Sequence, residues 1–362
     1  ENRTFSSGTP GSQGRPEWKV YFDGNFWSSQ GQAQAGAELR IGEPFQWAGR
    51  HWLLPAVYSC GEGLVLELCM RIEPREMDAF MEKWDLTPEN ADYDRFTREQ
   101  QMEIELDNPL HLKFHPELEV NGRKLTLSHS CAVHYLPCLS EKYPDEAAAW
   151  GLEAAPAAKH YGLDPAYGWC ISRHAFLWED SRFSQIDSLL LSMEPYPVDI
   201  PGPRFTAAPG DTISFIHPAD GCQCTLTVRD ISQETLDKTR LEELEDPFEF
   251  PPHYTVLTYT LSPESENGIT VAGYSDGDQP RRKAVSPASG GSASGGSAAA
   301  IGIIGGAVIV VLPDASVKQQ KLHAVCSLPR FEPVKETEWS IIFHEKRFKT
   351  GVFHFDVKDC VI

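Results

Sequence analysis

The number and brevity of strand-like runs constrain this chain more than any other feature. WKVYFDG (Trp18 to Gly24), HWLLPAVYSC (His51 to Cys60) and GLVLELCMRI (Gly63 to Ile72) are rich in aromatic and branched residues and are bounded by Gly or Pro. LEVNGRKLTL (Leu118 to Leu127) places two alternating runs around Asn121-Gly122, the pair that fits a type I′ hairpin turn. Eight further runs follow, from DSLLLSMEPYPV through HYTVLTYTLS and EWSIIFHEK to VFHFDVKDCVI. Helical signals are few. PREMDAFMEKWDL (Pro74 to Leu86) carries Met77, Phe80, Met81 and Trp84 at spacings of three and four, with Pro near its start. DEAAAWGLEAAPAAKHYG (Asp145 to Gly162) is Ala-rich and is expected to hold a short helix broken at Pro156. Short strands separated by Pro- and Gly-rich turns predict a mostly-β fold of two β-sandwich-like domains.

At 362 residues the chain is long for one core and suits two domains. Pro197, Pro201 and Pro203 cannot sit in a central strand, so a boundary is expected near residue 203. This gives a disordered arm over 1–16, a first β-rich domain over 17–203 and a second over 204–362. SPASGGSASGGSAAA (Ser286 to Ala300) cannot bury enough apolar surface to order itself, so a flexible loop is expected over 284–300 in the second domain. Both halves pass through a hairpin into an Arg and a Glu five residues apart, Arg71 and Glu76 in one, Arg229 and Glu234 in the other. That likeness raises the expectation of a duplicated sandwich.

Composition excludes some functions. The formal net charge of -20 repels phosphate backbones and argues against nucleic-acid binding. The longest apolar run, Ala298 to Leu312, is shorter than the roughly twenty residues a helix needs to span a bilayer, and three glycines interrupt it. Glu1 to Pro16 is polar and lacks the apolar stretch of a signal peptide. The nine cysteines are odd in number and irregularly spaced, mostly inside apolar runs. A reducing compartment, and so the cytoplasm, is the expected location.

Candidate chemistry is sparse. His129, Cys131, His134 and Cys138 supply four imidazole or thiolate groups within ten residues and could in principle close a zinc site. On an extended strand, however, His129 and Cys131 face one side and His134 and Cys138 the other, so a turn would be required. The competing reading is a half-buried strand with ordinary core cysteines and no cofactor. His111 and His115, in LHLKFHP, alternate as a strand does, and Cys222 and Cys224 form a C-x-C without the spacing of a redox motif. Neither a nucleophile elbow nor a phosphate-binding loop is present. Eight of the nine tryptophans fall in the first half. Trp27, in the turn-like DGNFWSSQG, is the ring expected to be exposed and to contact a ligand.

Two resemblances accompany these patterns. IGIIGGA (Ile301 to Ala307) resembles part of a motif in the β subunits of sodium-translocating decarboxylases. The acidic continuation of that motif is absent, so no sodium site is carried over. RTFSSG (Arg3 to Gly8), YGLDPA (Tyr161 to Ala166), DQPRRK (Asp278 to Lys283), IGIIGGA and EWSIIFHEK (Glu338 to Lys346) resemble, over nearly the whole length, an uncharacterised family of soluble bacterial proteins carrying a GIIGGA segment. The resemblance implies a cytoplasmic protein that starts close to residue 1, and it supplies no catalytic residue. The expected function is non-enzymatic binding of a protein, glycan or small molecule, with self-association through IGIIGGAVIVV as one route. The alternative is a carbohydrate-active hydrolase using paired carboxylates.

Overall fold

A computed structural model describes residues 18–23, 26, 34–86, 93–140, 142, 151, 154–178, 182–236, 248–263, 268–282 and 321–357. The arm over 1–16, Trp27, the loop over 284–300 and the IGIIGGAVIVV segment lie outside them. The chain is mostly β and divides into two compact units. One takes the described residues of Glu1–Tyr93, Asp107–Tyr196 and Arg347–Ile362, the other those of Asp94–Leu106 and Pro197–Lys346.

The first unit opens with three antiparallel strands, β1 (Ala37–Trp47), β2 (Arg50–Ser59) and β3 (Gly63–Ile72). Ala48 and Gly49 make the first turn, both at positive φ. Pro55 has no N–H to donate, and the ladders on both sides of β2 shift register around it. Helix α1 (Pro74–Trp84) follows, with its Met77, Phe80, Met81 and Trp84 stripe buried as the spacing predicts. After α2 (Arg98–Asp107), which up to Leu106 belongs to the second unit, β4 (Phe114–Val120) and β5 (Arg123–Tyr135) form the expected hairpin of the first. Asn121 and Gly122 both take the positive φ of a type I′ turn, 50° and 77°. The short α3 (Pro137–Ser140) and α4 (Ala155–Tyr161) come next. Pro156 stands in the first turn of α4, where its missing N–H costs nothing, so it starts this helix instead of breaking it. Strands β6 (Gly168–Leu177) and β7 (Ser188–Pro195) complete the central part.

These strands join in one eight-stranded sheet of order β1-β2-β3-β6-β5-β4-β7-β17, closed off by β17 (Gly351–Asp356) from far along the chain. The sheet is rolled. The ring of Phe45 on β1 lies 4.5 Å from that of Phe353 on β17, and Trp47 Nε1 donates to the carbonyl of Lys349 at 2.9 Å. Leu66, Leu68, Met70 and Phe176 fill the inner face. Segment 18–23, expected to be a strand, forms none among the described residues; the Gly36 amide donates to the Val20 carbonyl, and Val20 and Phe22 pack on the outer face.

The second unit has a different strand order. One sheet is β15-β12-β10-β9 and the other β13-β16-β8, using β8 (Val198–Phe205), β9 (Thr212–Ile216), β10 (Gln223–Thr235), β12 (His253–Ser262), β13 (Ile269–Gly273), β15 (His323–Cys326) and β16 (Trp339–Glu345). Trp339, Ile341 and Phe343 of β16 meet Leu226, Val228, Leu257 and Tyr259 of the facing sheet in a shared core, which makes a sandwich. The proline-bearing β8 is an edge strand, the place in a sheet where missing N–H donors are tolerated. A two-residue ladder pairs β11 (Phe248–Glu249) with β14 (Arg281–Arg282). Among the described residues no helix is long and apolar enough to cross a membrane.

Candidate functional site

Three central strands of the first unit generate two chemically different faces. The ladders set Glu67 of β3 opposite Arg173 of β6, and Cys131 of β5 opposite the same arginine. One residue further on, His174 lies between Leu66 and Ser130, and Ser172 lies between Leu68 and Ala132. Strand alternation therefore sends Glu67, Cys131 and Arg173 to the outer face and Ser130, Ala132, His134, Cys170, Ser172 and His174 to the inner one.

The outer face carries a buried ion pair. Glu67 is fully buried and Arg173 is 2% exposed. Nε and Nη2 of Arg173 donate to Oε1 of Glu67 at 2.8 and 2.5 Å, and the Tyr161 hydroxyl donates to Oε2. Tyr58 hydrogen-bonds Tyr161 at 2.7 Å, and Trp18 Nε1 donates to the Tyr161 oxygen at 2.9 Å. The guanidinium lies 4.5 Å from the Phe26 ring. Burial pushes the Glu67 carboxyl up against the opposing pull of Arg173. Burial beside Glu67 also pushes the Tyr161 phenol far above its ordinary range. This network ties α4 and the segment from Trp18 to the sheet. Both carboxylate oxygens are occupied and no surface reaches them, so the arrangement is a structural clamp. Removing either charge alone would strand the other at a cost of about 3–5 kcal/mol.

On the inner face lies an open groove of about 330 Å³. Its walls are Trp52 of β2, Met70 of β3 and Phe114 of β4, with Tyr196 after β7 and, ahead of β4, Leu110 and Leu112 alongside His111 and the basic Lys113. The Phe114 ring stands 5.5 Å from both Trp52 and His174, edge-on to the former. The polar groups are few and convergent. Ser130 Oγ is 2.8 Å from His174 Nδ1, and Ser172 Oγ is 3.0 Å from His174 Nε2. Burial pushes the His174 imidazole down to about 4, with nearby His115 adding to the effect. His134 is lowered by burial and by neighbouring His111, and the Cys170 thiol rises to about 12. These groups are therefore uncharged at neutral pH. Among the described residues no carboxylate lines the groove.

The residues singled out in the sequence are dispersed. Strand β5 runs extended through His129, Cys131 and His134, so no turn gathers the four candidate zinc ligands. His129 hydrogen-bonds Ser128 and packs edge-on to Phe22, Cys131 is half-buried on the outer face, His134 lines the groove, and Cys138 sits in α3. Among the described residues no group of three or more His, Cys, Asp or Glu could hold a metal ion. The eight cysteines among them form no disulfide. His111 lines the groove and His115 packs against Tyr196 at 6.4 Å, while Cys224 is buried on β10, an interior strand. The Ser130–His174–Ser172 arrangement carried no signal in the sequence: the pairing of β5 with β6 creates it across 44 residues. No protein-family model, curated protein or solved structure matches this chain.

Proposed function

We propose that the protein is a non-enzymatic binding protein whose first unit takes a small, largely apolar molecule in the inner-face groove. The observation that carries this reading is the groove itself: a concave, largely apolar-walled space of about 330 Å³ in which two serine hydroxyls converge on His174, with the basic Lys113 also in the wall. Small-molecule sites share these traits, mostly apolar walls for affinity and a few placed polar atoms for orientation. The alternative of a carbohydrate hydrolase draws no support here. Its carboxylate pair has no candidate among the lining residues, and Glu67 is sealed on the other face by Arg173 and Tyr161.

Ala132 is exposed on the groove wall and can be enlarged without disturbing the core. Isothermal titration with 4-ethyltoluene, an apolar probe of suitable size, should give saturable binding to the wild type. Ala132→Trp should weaken it by at least about tenfold while shifting stability by no more than about 0.5 kcal/mol. Absence of saturable heat with the wild type, or equal affinity in the variant, rules out the groove as the site.

A further inference from the structure

The groove is laid out along a register row and its wall carries charge of one sign. The ladders align Trp52, Met70, Cys170 and His134 across β2, β3, β6 and β5. Trp52 and Met70, with the Phe114 ring 5.5 Å from Trp52, make the apolar end of the row. His134 makes the polar end, with His111 close enough to act on it and the basic Lys113 two residues further on in the same wall. The imidazoles of His134 and His174 are pushed down by burial and by a second imidazole, and no carboxylate pulls either of them up. Burial pushes the thiols of Cys131 and Cys170 up, so neither supplies a thiolate at neutral pH. Glu194, across the ladder from His115, is not among the residues that line the groove. The wall therefore offers neutral donors and a basic side chain, and no negative charge among the described residues.

From this layout we infer that the groove takes an apolar monocarboxylate, whose aromatic or alkyl body lies on Trp52, Met70 and Phe114 and whose carboxylate accepts hydrogen bonds from His134, His111 and Lys113. The inference rests on the reading of the groove as a small-molecule site and adds the sign of the ligand's charge. An amine would be buried there without a counter-charge. One lysine balances one negative charge, so a phosphate dianion would be left with a charge unmatched. No particular tautomer is required, because each neutral imidazole carries one N–H and takes up a second proton more readily beside a bound anion. The protein as a whole, with its net charge of -20, repels anions, so a preference for one reports this wall and not the general surface.

The test is a titration series at neutral pH and physiological ionic strength with 4-ethylbenzoate, 4-ethyltoluene and 4-ethylbenzylamine, which share a ring and an ethyl group and differ in charge. The benzoate should bind most tightly and the amine least. Lys113→Met keeps the apolar stem and removes the charge. It should weaken 4-ethylbenzoate about tenfold and 4-ethyltoluene less than twofold. His134→Leu removes a donor from a different element and should show the same selective loss, so the test stands if one variant does not fold. Ala132→Trp should weaken 4-ethylbenzoate along with 4-ethyltoluene, which locates the anion in the groove. Three results would overturn the inference while leaving the groove as a site for 4-ethyltoluene: an amine that binds as tightly as the benzoate, an unchanged benzoate affinity in a folded Lys113→Met or His134→Leu, or one unaffected by Ala132→Trp. Failure of both 4-ethyltoluene and 4-ethylbenzoate to bind the wild type would instead remove the binding-site reading beneath it.

Discussion

His174 shows how far one side chain departs from what its sequence neighbours announce. Its ordinary pKa is about 6.5, and in the fold burial lowers it to about 4. Above pH 6.5 the imidazole is neutral in both folded and unfolded chains. Below that, the unfolded chain takes up a proton that the folded one refuses. Stability is therefore lost as pH falls from 6.5 toward 4, by on the order of 3 kcal/mol across the window. Urea midpoints at pH 7, 6 and 5 should fall more steeply for the wild type than for His174→Gln, and parallel slopes would show that His174 is not the group responsible. The raised carboxyl of Glu67 acts in the opposite direction and is common to both proteins, so the difference between slopes isolates the histidine. In the sequence, HSCAVHY stands out for its density of ligand-type residues, and His134 does face the groove. Ser130, the residue that completes the polar chain, looks there like one more serine in a strand. Its importance comes from its partner across the ladder, and local spacing carries no record of cross-strand partners.

At the scale of elements, legibility followed the strength of the local code. The α1 stripe, the Asn121-Gly122 turn and the prolines of edge strand β8 each combine a residue type with a backbone requirement that admits few alternatives. Helix α2 escaped because it buries one residue, Ile104, and so has no apolar stripe to find. Its signal lies at the start instead. The amide of Gln100 donates to Thr97 Oγ1 at 3.3 Å and the amide of Thr97 to Gln100 Oε1 at 2.9 Å, a reciprocal capping box spelled T-R-E-Q. Arg98 and Glu99 then fasten the helix within its own unit, to the carbonyl of Gly273 and the guanidinium of Arg204. Thr97→Ala should cost about 1 kcal/mol of stability, measured by urea unfolding, and Thr97→Ser should recover most of it. Equal losses in the two variants would mean that the hydroxyl is not acting as a cap.

For the whole molecule, strand signals mark elements without naming their partners. VFHFD reads as a strand in the sequence, but nothing there says that it pairs with β7, about 160 residues upstream. Gly351 at its start admits no side chain, since a Cβ would lie 2.5 Å from Trp47 Cδ1. β17 therefore packs directly on the aromatic edge of β1 that begins the same sheet. A chain stopped after Lys346 keeps the second unit's sequence intact and should still unfold the first unit at lower urea. Eight of the nine tryptophans lie in the first unit's stretches, so their fluorescence reports it almost alone. An unshifted tryptophan transition in the shortened chain would show that β17 contributes nothing to that unit.

The return of β17 also imposes a schedule on the ribosome. All 150 residues of Pro197–Lys346 are translated between β7 and the strand that completes its sheet. At roughly 5–20 residues per second that interval lasts about 8–30 s. Throughout it the nascent first unit presents Phe45, Trp47 and an unpaired β7 edge, so its exposure to chaperones and to premature aggregation is set by the length of the other unit.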